Sequence, residues 1–194
     1  MRQAFDVSLQ ETALRVQKIL PEEVGVHGAA STALAVLLKG VLSSMERLDL
    51  RKQLKHLYQP SAKMVEVVDV PELKFAMVDG AIEPECAPGS SPAFQQAIEA
   101  LYGISFTLKF ASKQRSEDPI DYTVMPLEAL WWAQDMQSFT TERDKSRWDW
   151  TAMILVPEWT TQPMLKAAMV SVGDKKDPPA SLQRVRLERL EEGT

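Results

Sequence analysis

The sequence predicts an α+β fold, with helices on one face of a mostly antiparallel sheet. Three observations lead to this prediction. Four segments have the composition and alternation of strands, two others repeat apolar residues at helical spacing, and the order strand, helix, strand occurs twice. The chain also lacks a Gly-rich phosphate loop after a strand, which disfavours a nucleotide-binding, doubly wound fold.

The first predicted unit runs from residue 69 to residue 132. Its first strand is expected over 69–78, ending in a turn at Asp79-Gly80. A helix is then expected from Ser91, a good N-cap residue, and Pro92 to about Lys113. Its apolar stripe would consist of Phe94, Ala97, Ile98, Leu101, Ser105 and Leu108. An extended segment over 122–132 closes the unit.

The second predicted unit has the same order. An extended segment is expected over 148–159, followed by a helix that Thr161 caps. Gly173 stands where a C-terminal cap is expected. Alternation over 183–190 then predicts the last strand.

Residues 1–44 differ in composition from the rest. They contain one aromatic residue, Phe5, and equal numbers of acidic and basic residues. Helical stretches are expected at about 7–19 and 30–47. The predicted organisation is therefore an N-terminal helical extension (1–44) followed by one domain (45–194).

Composition excludes several classes of function. The 194 residues carry a net charge of −5, which disfavours a nucleic-acid partner. The single cysteine, Cys86, and two histidines disfavour a disulfide framework and a metal site, so neither a metal nor a cofactor is expected. No apolar run reaches the length of a membrane span, so no membrane partner is expected. The low cysteine count fits a reducing, cytoplasmic setting. Its oligomeric state cannot be predicted from these features.

Strand alternation predicts a small-molecule pocket on the face away from the helices. In the middle strand Tyr122, Glu128 and Trp132 share that face, whereas Trp131 belongs to the helix side. Trp150 and Glu158 share a parity in the next strand, and Glu188 lies opposite the helix side of the last. Aromatic walls with a few carboxylates are typical of a small-molecule site.

Other interpretations of the same residues stay open. The tryptophans can be ordinary core residues. Glu158 can favour a helix N-terminus, and Glu188 can belong to an exposed ion-pair face with nearby arginines. Glu128 is the hardest to explain structurally, because it interrupts an otherwise apolar strand.

Several blocks resemble the GyrI-like small-molecule-binding domain family, in particular its stand-alone branch. They are DLRKQLKHLYQPSAK (49–63), VDVPELKFAMVDG (68–80), AIEALYGISFTLKF (97–110), DYTVMPLEALWWAQD (121–135) and the Pro-Glu after a Trp-rich strand. The resemblance implies two strand–helix–strand–strand halves around a cleft that binds drug-like molecules. It implies that Trp132, Glu158 and Glu188 are cleft residues, with Tyr102, Tyr122 and Glu128 as further candidates. Because stand-alone members usually begin near this first block, Met45 is a candidate native start.

The resemblance leads to two hypotheses from different classes. Some stand-alone members are cyclopropanoid cyclopropyl hydrolases, which open the strained ring of DNA-alkylating antibiotics. On this hypothesis Glu158 and Glu188 form the catalytic pair, Trp132 stacks on the ligand, and Glu128, Tyr102, Tyr122 and Trp150 bind it. The alternative is a non-catalytic multidrug-binding or sensing module that acts with a separate partner.

Overall fold

The two strand–helix–strand units form one antiparallel sheet. A computed structural model describes residues 47–86, 90–135, 137 and 145–193. Its main elements are the short helices α1 (Leu50–Gln53) and α2 (Lys55–Tyr58), strand β1 (Leu73–Ala81), helix α3 (Pro92–Lys113), strands β2 (Leu127–Trp132) and β3 (Asp149–Leu155), helix α4 (Gln162–Gly173) and strand β4 (Arg186–Leu190). Within the described residues the sheet has four strands in the order β2-β3-β1-β4, and every pair is antiparallel. The predicted α+β class is confirmed.

Both long helices begin where side-chain caps were predicted. The Ser91 hydroxyl accepts the backbone N–H of Phe94, and Thr161 accepts that of Met164. These bonds satisfy donors that the first turn of a helix leaves without a partner. Helix α4 ends one residue later than predicted, because Gly173 is still helical and Asp174 is the C-cap.

The strands differ from the prediction mainly at their ends. Strand β1 continues through Asp79-Gly80, because these residues pair with β3 across the sheet instead of turning. Strand β3 ends at Leu155, shortly before Pro157, which has no N–H for a ladder. Strand β4 starts only at Arg186, because a 3-10 turn, Leu182–Arg184, occupies the residues before it.

One face of the sheet packs against α3 and α4. The strand residues on this face include Ala76, Val78, Ala152 and Ile154, each fully buried. Helix α3 contributes Leu101, Ile104 and Leu108 to the same core. Both helices therefore lie on one side, as the sequence predicts.

The other face is partly covered by the segment that precedes β1. Leu57, Val68 and Val70 line a pocket together with Leu73 and Phe75 of β1. An isolated bridge between Val70 and Gly193 ties this segment to the end of the chain. A recess therefore lies between the sheet and residues 57–70, on the face for which the cleft was predicted.

Two sequence predictions lie outside the described residues. The structure describes nothing before Arg47, so the N-terminal extension and its helices stay predictions, as does a start at Met45. Among the helices that are described, none combines the length and apolarity needed to cross a bilayer.

Candidate functional site

A pocket of about 220 Å³ lies on the sheet face opposite α3 and α4. Most of its wall is apolar. The lining residues are Leu57, Tyr58, Val68, Val70, Leu73, Phe75, Glu128, Leu190 and Glu192. Two carboxyl groups and one phenol are thus set in an apolar wall, which is the usual make-up of a small-molecule site.

Glu128 is the central polar group of this pocket. Alternation along β2 turns its side chain away from the helices, where its cross-strand neighbour is Met153. Burial raises the pKa of the Glu128 carboxyl, a nearby Glu192 raises it further, and a hydrogen bond from Tyr58 opposes them in part. The net pKa is above the ordinary value of 4.5. A carboxyl group in this state can exchange a proton closer to neutral pH than an exposed glutamate.

Tyr58 holds Glu128 in position. Its hydroxyl donates a hydrogen bond of 2.6 Å to Oε1 of Glu128. Burial and the negative charge of Glu128 raise the pKa of this phenol, so it stays protonated and remains a donor. The bond engages one carboxyl oxygen and leaves Oε2 to interact with a bound molecule.

Trp132 extends the same face beyond the pocket. Glu128, Leu130 and Trp132 alternate along β2, so their side chains leave the sheet on one side. Trp132 is 41% exposed and Leu130 is 39% exposed. At about 3.3 Å per residue, Trp132 lies roughly 13 Å along the strand from Glu128. It offers an apolar, aromatic surface to a ligand too long for the pocket alone.

Glu188 lies on this face as well, but in an ion pair. It pairs across β4 and β1 with Phe75, a pocket residue. Its Oε2 accepts a 2.6 Å hydrogen bond from Nε of Arg186, whose Nη1 lies 2.8 Å from Oδ2 of Asp79. Thr151 donates to the other oxygen of that aspartate at 2.6 Å. Glu188 is about half exposed, and the guanidinium group of Arg186 already compensates its charge.

Glu158 is an exposed residue beyond the end of β3. Strand alternation no longer orients it, because the strand ends at Leu155. Its Oε2 accepts a 2.6 Å bond from Arg189 and lies 3.7 Å from Nζ of Lys74. With 59% of its side chain exposed, it does not line the pocket around Glu128.

The prediction that Trp150 lies on the sheet face away from the helices is wrong. The side chain is fully buried on the helix side, where its ring meets that of Phe94 edge-on at 5.0 Å. The parity that groups Trp150 with Ala152 and Ile154 was correct, but this set faces α3. Strand β3 is apolar on both faces, so its composition does not indicate which set meets the helices.

The two candidate tyrosines also lie outside the pocket. Tyr102 belongs to the outer side of α3 and stacks on Phe106. Tyr122 is buried against Trp159, with ring centroids 6.1 Å apart. Its hydroxyl has no partner among the described residues, and burial raises its pKa. Of the seven predicted site residues, only Glu128 lines this pocket, while Trp132 and Glu188 share its face.

Sequence reasoning missed Tyr58, Leu57 and Glu192. The first two lie in the DLRKQLKHLY block, which carries part of the family resemblance but shows no pattern of its own that marks a site. The Tyr58–Glu128 bond joins residues 70 positions apart, which local spacing cannot reveal.

As for metals, the described part of the chain contains no group of three or more His, Cys, Asp or Glu residues arranged to hold an ion.

Comparison with known proteins gives structural relatives. No family model and no curated protein matches the chain. A crystal structure of an uncharacterized conserved protein from Listeria innocua matches with a TM-score of 0.62 and 32% identity, over 76% of this chain and 68% of that one. Two crystal structures named as hydrolases from Listeria innocua match with TM-scores of 0.58 and 0.60 and with 32% and 33% identity. They also cover 76% of this chain, and 70% and 68% of their own.

Proposed function

Because this chain belongs to the same family as these Listeria innocua proteins, we propose that it is a hydrolase of apolar small molecules that bind in the Glu128 pocket. The observation that carries this proposal is a partly buried carboxyl group of raised pKa in an apolar wall, held by a phenol. The hydrolase names of two relatives support the reaction class. The substrate class comes from the resemblance to GyrI-like domains.

The proposed substrate is a flat, conjugated molecule with a strained ring, such as a cyclopropanoid DNA-alkylating antibiotic. The pocket, with a volume of about 220 Å³, holds only part of such a molecule, since pockets for drug-sized ligands measure about 300–1,000 Å³. We propose that the reacting end enters beside Glu128 and that the remainder extends along β2 toward Trp132. Stacking on an exposed indole suits a flat conjugated system.

The proposed step adds one water across the strained ring. Glu128 takes a proton from water as the water oxygen forms a bond to a ring carbon. The ring C–C bond breaks, its electron pair moves into the conjugated system, and the carbonyl oxygen at the far end takes up a proton from solvent. Glu128 then releases its own proton to solvent, so the net change is the addition of one water. General base help of this kind accelerates reactions by about 10² to 10⁴, which suits a substrate already activated by strain.

In this proposal the catalytic base is Glu128, in place of the pair Glu158 and Glu188 that the sequence predicts. Glu158 and Glu188 are exposed, and each accepts a hydrogen bond from an arginine, Arg189 and Arg186 respectively. Each would have to give up this ion pair to take a proton from water, and neither lines the pocket. The predicted pair remains the competing assignment for the test.

The test combines ligand binding with product analysis. The full chain is incubated with a cyclopropanoid antibiotic while tryptophan fluorescence and product mass are followed. We expect quenching and a product heavier by one water. Glu128→Gln should lower the rate by about 10² to 10⁴. Glu117→Gln, an exposed glutamate beyond α3, is the matched control and should keep full activity.

The outcomes separate the two assignments. Full turnover by Glu128→Gln together with loss in a Glu158→Gln/Glu188→Gln double variant would restore the sequence prediction. Full turnover by both variants would exclude Glu128, Glu158 and Glu188 as the catalytic base. In Tyr58→Phe, the loss of the hydrogen bond raises the pKa of Glu128 further. The acid limb of its pH–rate profile should therefore move to higher pH, an effect that a purely structural role would not produce.

A second function is favoured by the charge of the pocket. Its lining contains two carboxyl groups, Glu128 and Glu192, and no lysine or arginine. This arrangement suits cationic ligands, for which a partly buried carboxylate supplies the counter-charge. A multidrug-binding module would show quenching without a mass change, and Glu128→Gln would then weaken binding of cationic ligands but not of neutral ones.

A further inference from the structure

The outer side of helix α3 carries a row of aromatic residues. Tyr102, Phe106 and Phe110 follow one another at intervals of four, so they lie on one side of the helix. Phe106 is 47% exposed and Phe110 is 53% exposed. The rings of Tyr102 and Phe106 stack with centroids 6.2 Å apart. Tyr102 is only partly exposed and also packs against the core, so the exposed part of the row is Phe106 and Phe110. Neighbouring exposed aromatic rings are typical of an interaction surface.

Charged residues flank this row symmetrically. Glu99 precedes Tyr102 by three residues, and Lys113 follows Phe110 by three, so the spacing is the same in both directions from Phe106. Both charged residues are exposed, as Phe106 and Phe110 are. The row thus has an acidic end and a basic end at equal distances from its centre. A surface of this form is complementary to itself when one copy is reversed.

We propose that α3 packs antiparallel against α3 of a second copy of this chain, with the two-fold axis at Phe106. Phe106 then meets Phe106 of the partner subunit, and Tyr102 meets Phe110 of the partner subunit. Glu99 faces Lys113 of the partner subunit at each end. A parallel arrangement would instead place like charges together, which is unfavourable.

The existing contacts of Lys113 permit this pairing. Its Nζ lies 3.2 Å from Oδ2 of Asp121, but Asp121 also has a 2.8 Å contact to the largely buried Lys109. Lys113 can therefore turn to a partner without leaving that carboxylate unpaired. The hydrogen bond that Glu99 accepts from Nε2 of Gln96 is long, at 3.5 Å, so it offers little resistance to a new partner.

The size of the surface indicates a weak dimer. An aromatic side chain buries about 150–250 Å² when fully covered; Phe106 and Phe110 are already about half buried, and Tyr102 is more buried than either. Each copy thus adds roughly 200–250 Å² from its rings, well below the ~800 Å² per partner of a standard interface. We expect weak, reversible association at high protein concentration. The dimer surface lies on α3, which covers the sheet face opposite the Glu128 pocket, so the proposal does not depend on the proposed function.

Charge exchange in the full chain tests the antiparallel geometry. Sedimentation of the native chain should show a monomer–dimer equilibrium over a wide concentration range. Glu99→Lys alone and Lys113→Glu alone place like charges at both ends, so each should weaken association about tenfold. An equimolar mixture of the two variants places opposite charges at both ends and should restore it. Lys175→Glu, an exposed charge reversal beyond the end of α4, is the control and should associate as the native chain does.

A second variant addresses the centre of the row. Phe106→Glu places two carboxylates at the axis and should abolish association while the exposed position leaves folding intact, as circular dichroism can verify. The proposal is overturned if the native chain is monomeric throughout, which would assign the row to another segment or partner. It is equally overturned if Phe106→Glu still forms dimers, or if mixing the two charge variants fails to restore them.

Discussion

Replacement of Gly80 by alanine should destabilise the domain strongly. Gly80 pairs directly with Trp150 across β1 and β3, and the indole lies over the glycine. A Cβ at this position would come within 2.1, 2.5 and 2.6 Å of three ring atoms of Trp150. Ordinary contact begins at about 3.4 Å, so the ring must move by more than 1 Å.

The surroundings of Trp150 resist this movement. The side chain is fully buried, and Phe94 packs edge-on against it at 5.0 Å. Phe94 is itself held by Trp131, whose tilted ring lies 5.3 Å away. Overpacking a well-packed core costs about 1–3 kcal/mol, and the closeness of these contacts favours the upper end. At about 2–4 °C per kcal/mol for a domain of this size, a loss near 3 kcal/mol lowers Tm by roughly 6–12 °C.

Thermal and urea unfolding of Gly80→Ala measure this loss, with Gly103→Ala as the matched control. In the control the new Cβ lies 3.4 Å from Val172, an ordinary contact, and alanine is the better helix former by about 1 kcal/mol. The control should therefore be neutral or slightly stabilised. Trp150→Phe should lower the cost of Gly80→Ala in the double variant, with a coupling energy of about 0.5–3 kcal/mol. Equal stabilities of Gly80→Ala and the native chain would refute the close packing of strand and indole.

Three further changes test the pocket and the helix anchors. The pKa of Glu128 is higher in the folded state than in the unfolded chain, so folding takes up a proton between the two pKa values. The free energy of unfolding therefore falls as pH rises above 4.5 toward the raised pKa. Glu128→Gln should remove this fall, as urea titrations at several pH values can show. Ser91→Ala deletes the cap that accepts the N–H of Phe94 and should cost about 1 kcal/mol in the same assay, whereas an unchanged midpoint would mean that water replaces the cap. Lys109→Met leaves Asp121 without its 2.8 Å partner and should cost about 2–3 kcal/mol at neutral pH, and less in acid where the carboxyl is protonated.

The helices were predictable because their signals are local. Ser91 and Pro92 mark the start of α3 within two residues, and Thr161 marks that of α4. Each cap acts on a backbone N–H three residues ahead, so no tertiary information is needed. The same reasoning gave the order of elements and hence the fold class.

Strand faces and the pocket were only partly predictable, because they depend on pairing between distant segments. In β2 the isolated Glu128 identifies the polar face, and the structure agrees. In β3 both faces are buried, so the sequence could not tell that Trp150 faces the helices. Tyr58 becomes a site residue only through its bond to Glu128, 70 positions away. Burial of Glu128 likewise comes from the segment before β1, which alternation along β2 does not describe.

The ion pairs of Glu188 and Glu158 determine how far the predicted catalytic pair can still contribute. Arg186 contacts both oxygens of Asp79, at 2.8 and 3.1 Å, and reaches Glu188 separately through Nε. Release of Glu188 thus removes one exposed contact and leaves Arg186 paired, at a cost of about 0–1 kcal/mol. A cationic group bound along β2 and β1 could compete for this glutamate, since it shares the sheet face of Glu128. Release of Glu158 would likewise leave its partner Arg189 paired, with Glu72, but Glu158 lies beyond the end of β3 and does not line the pocket. If a second carboxylate assists Glu128, the geometry therefore favours Glu188 over Glu158, and single Gln variants of the two should differ accordingly in turnover of a cationic substrate.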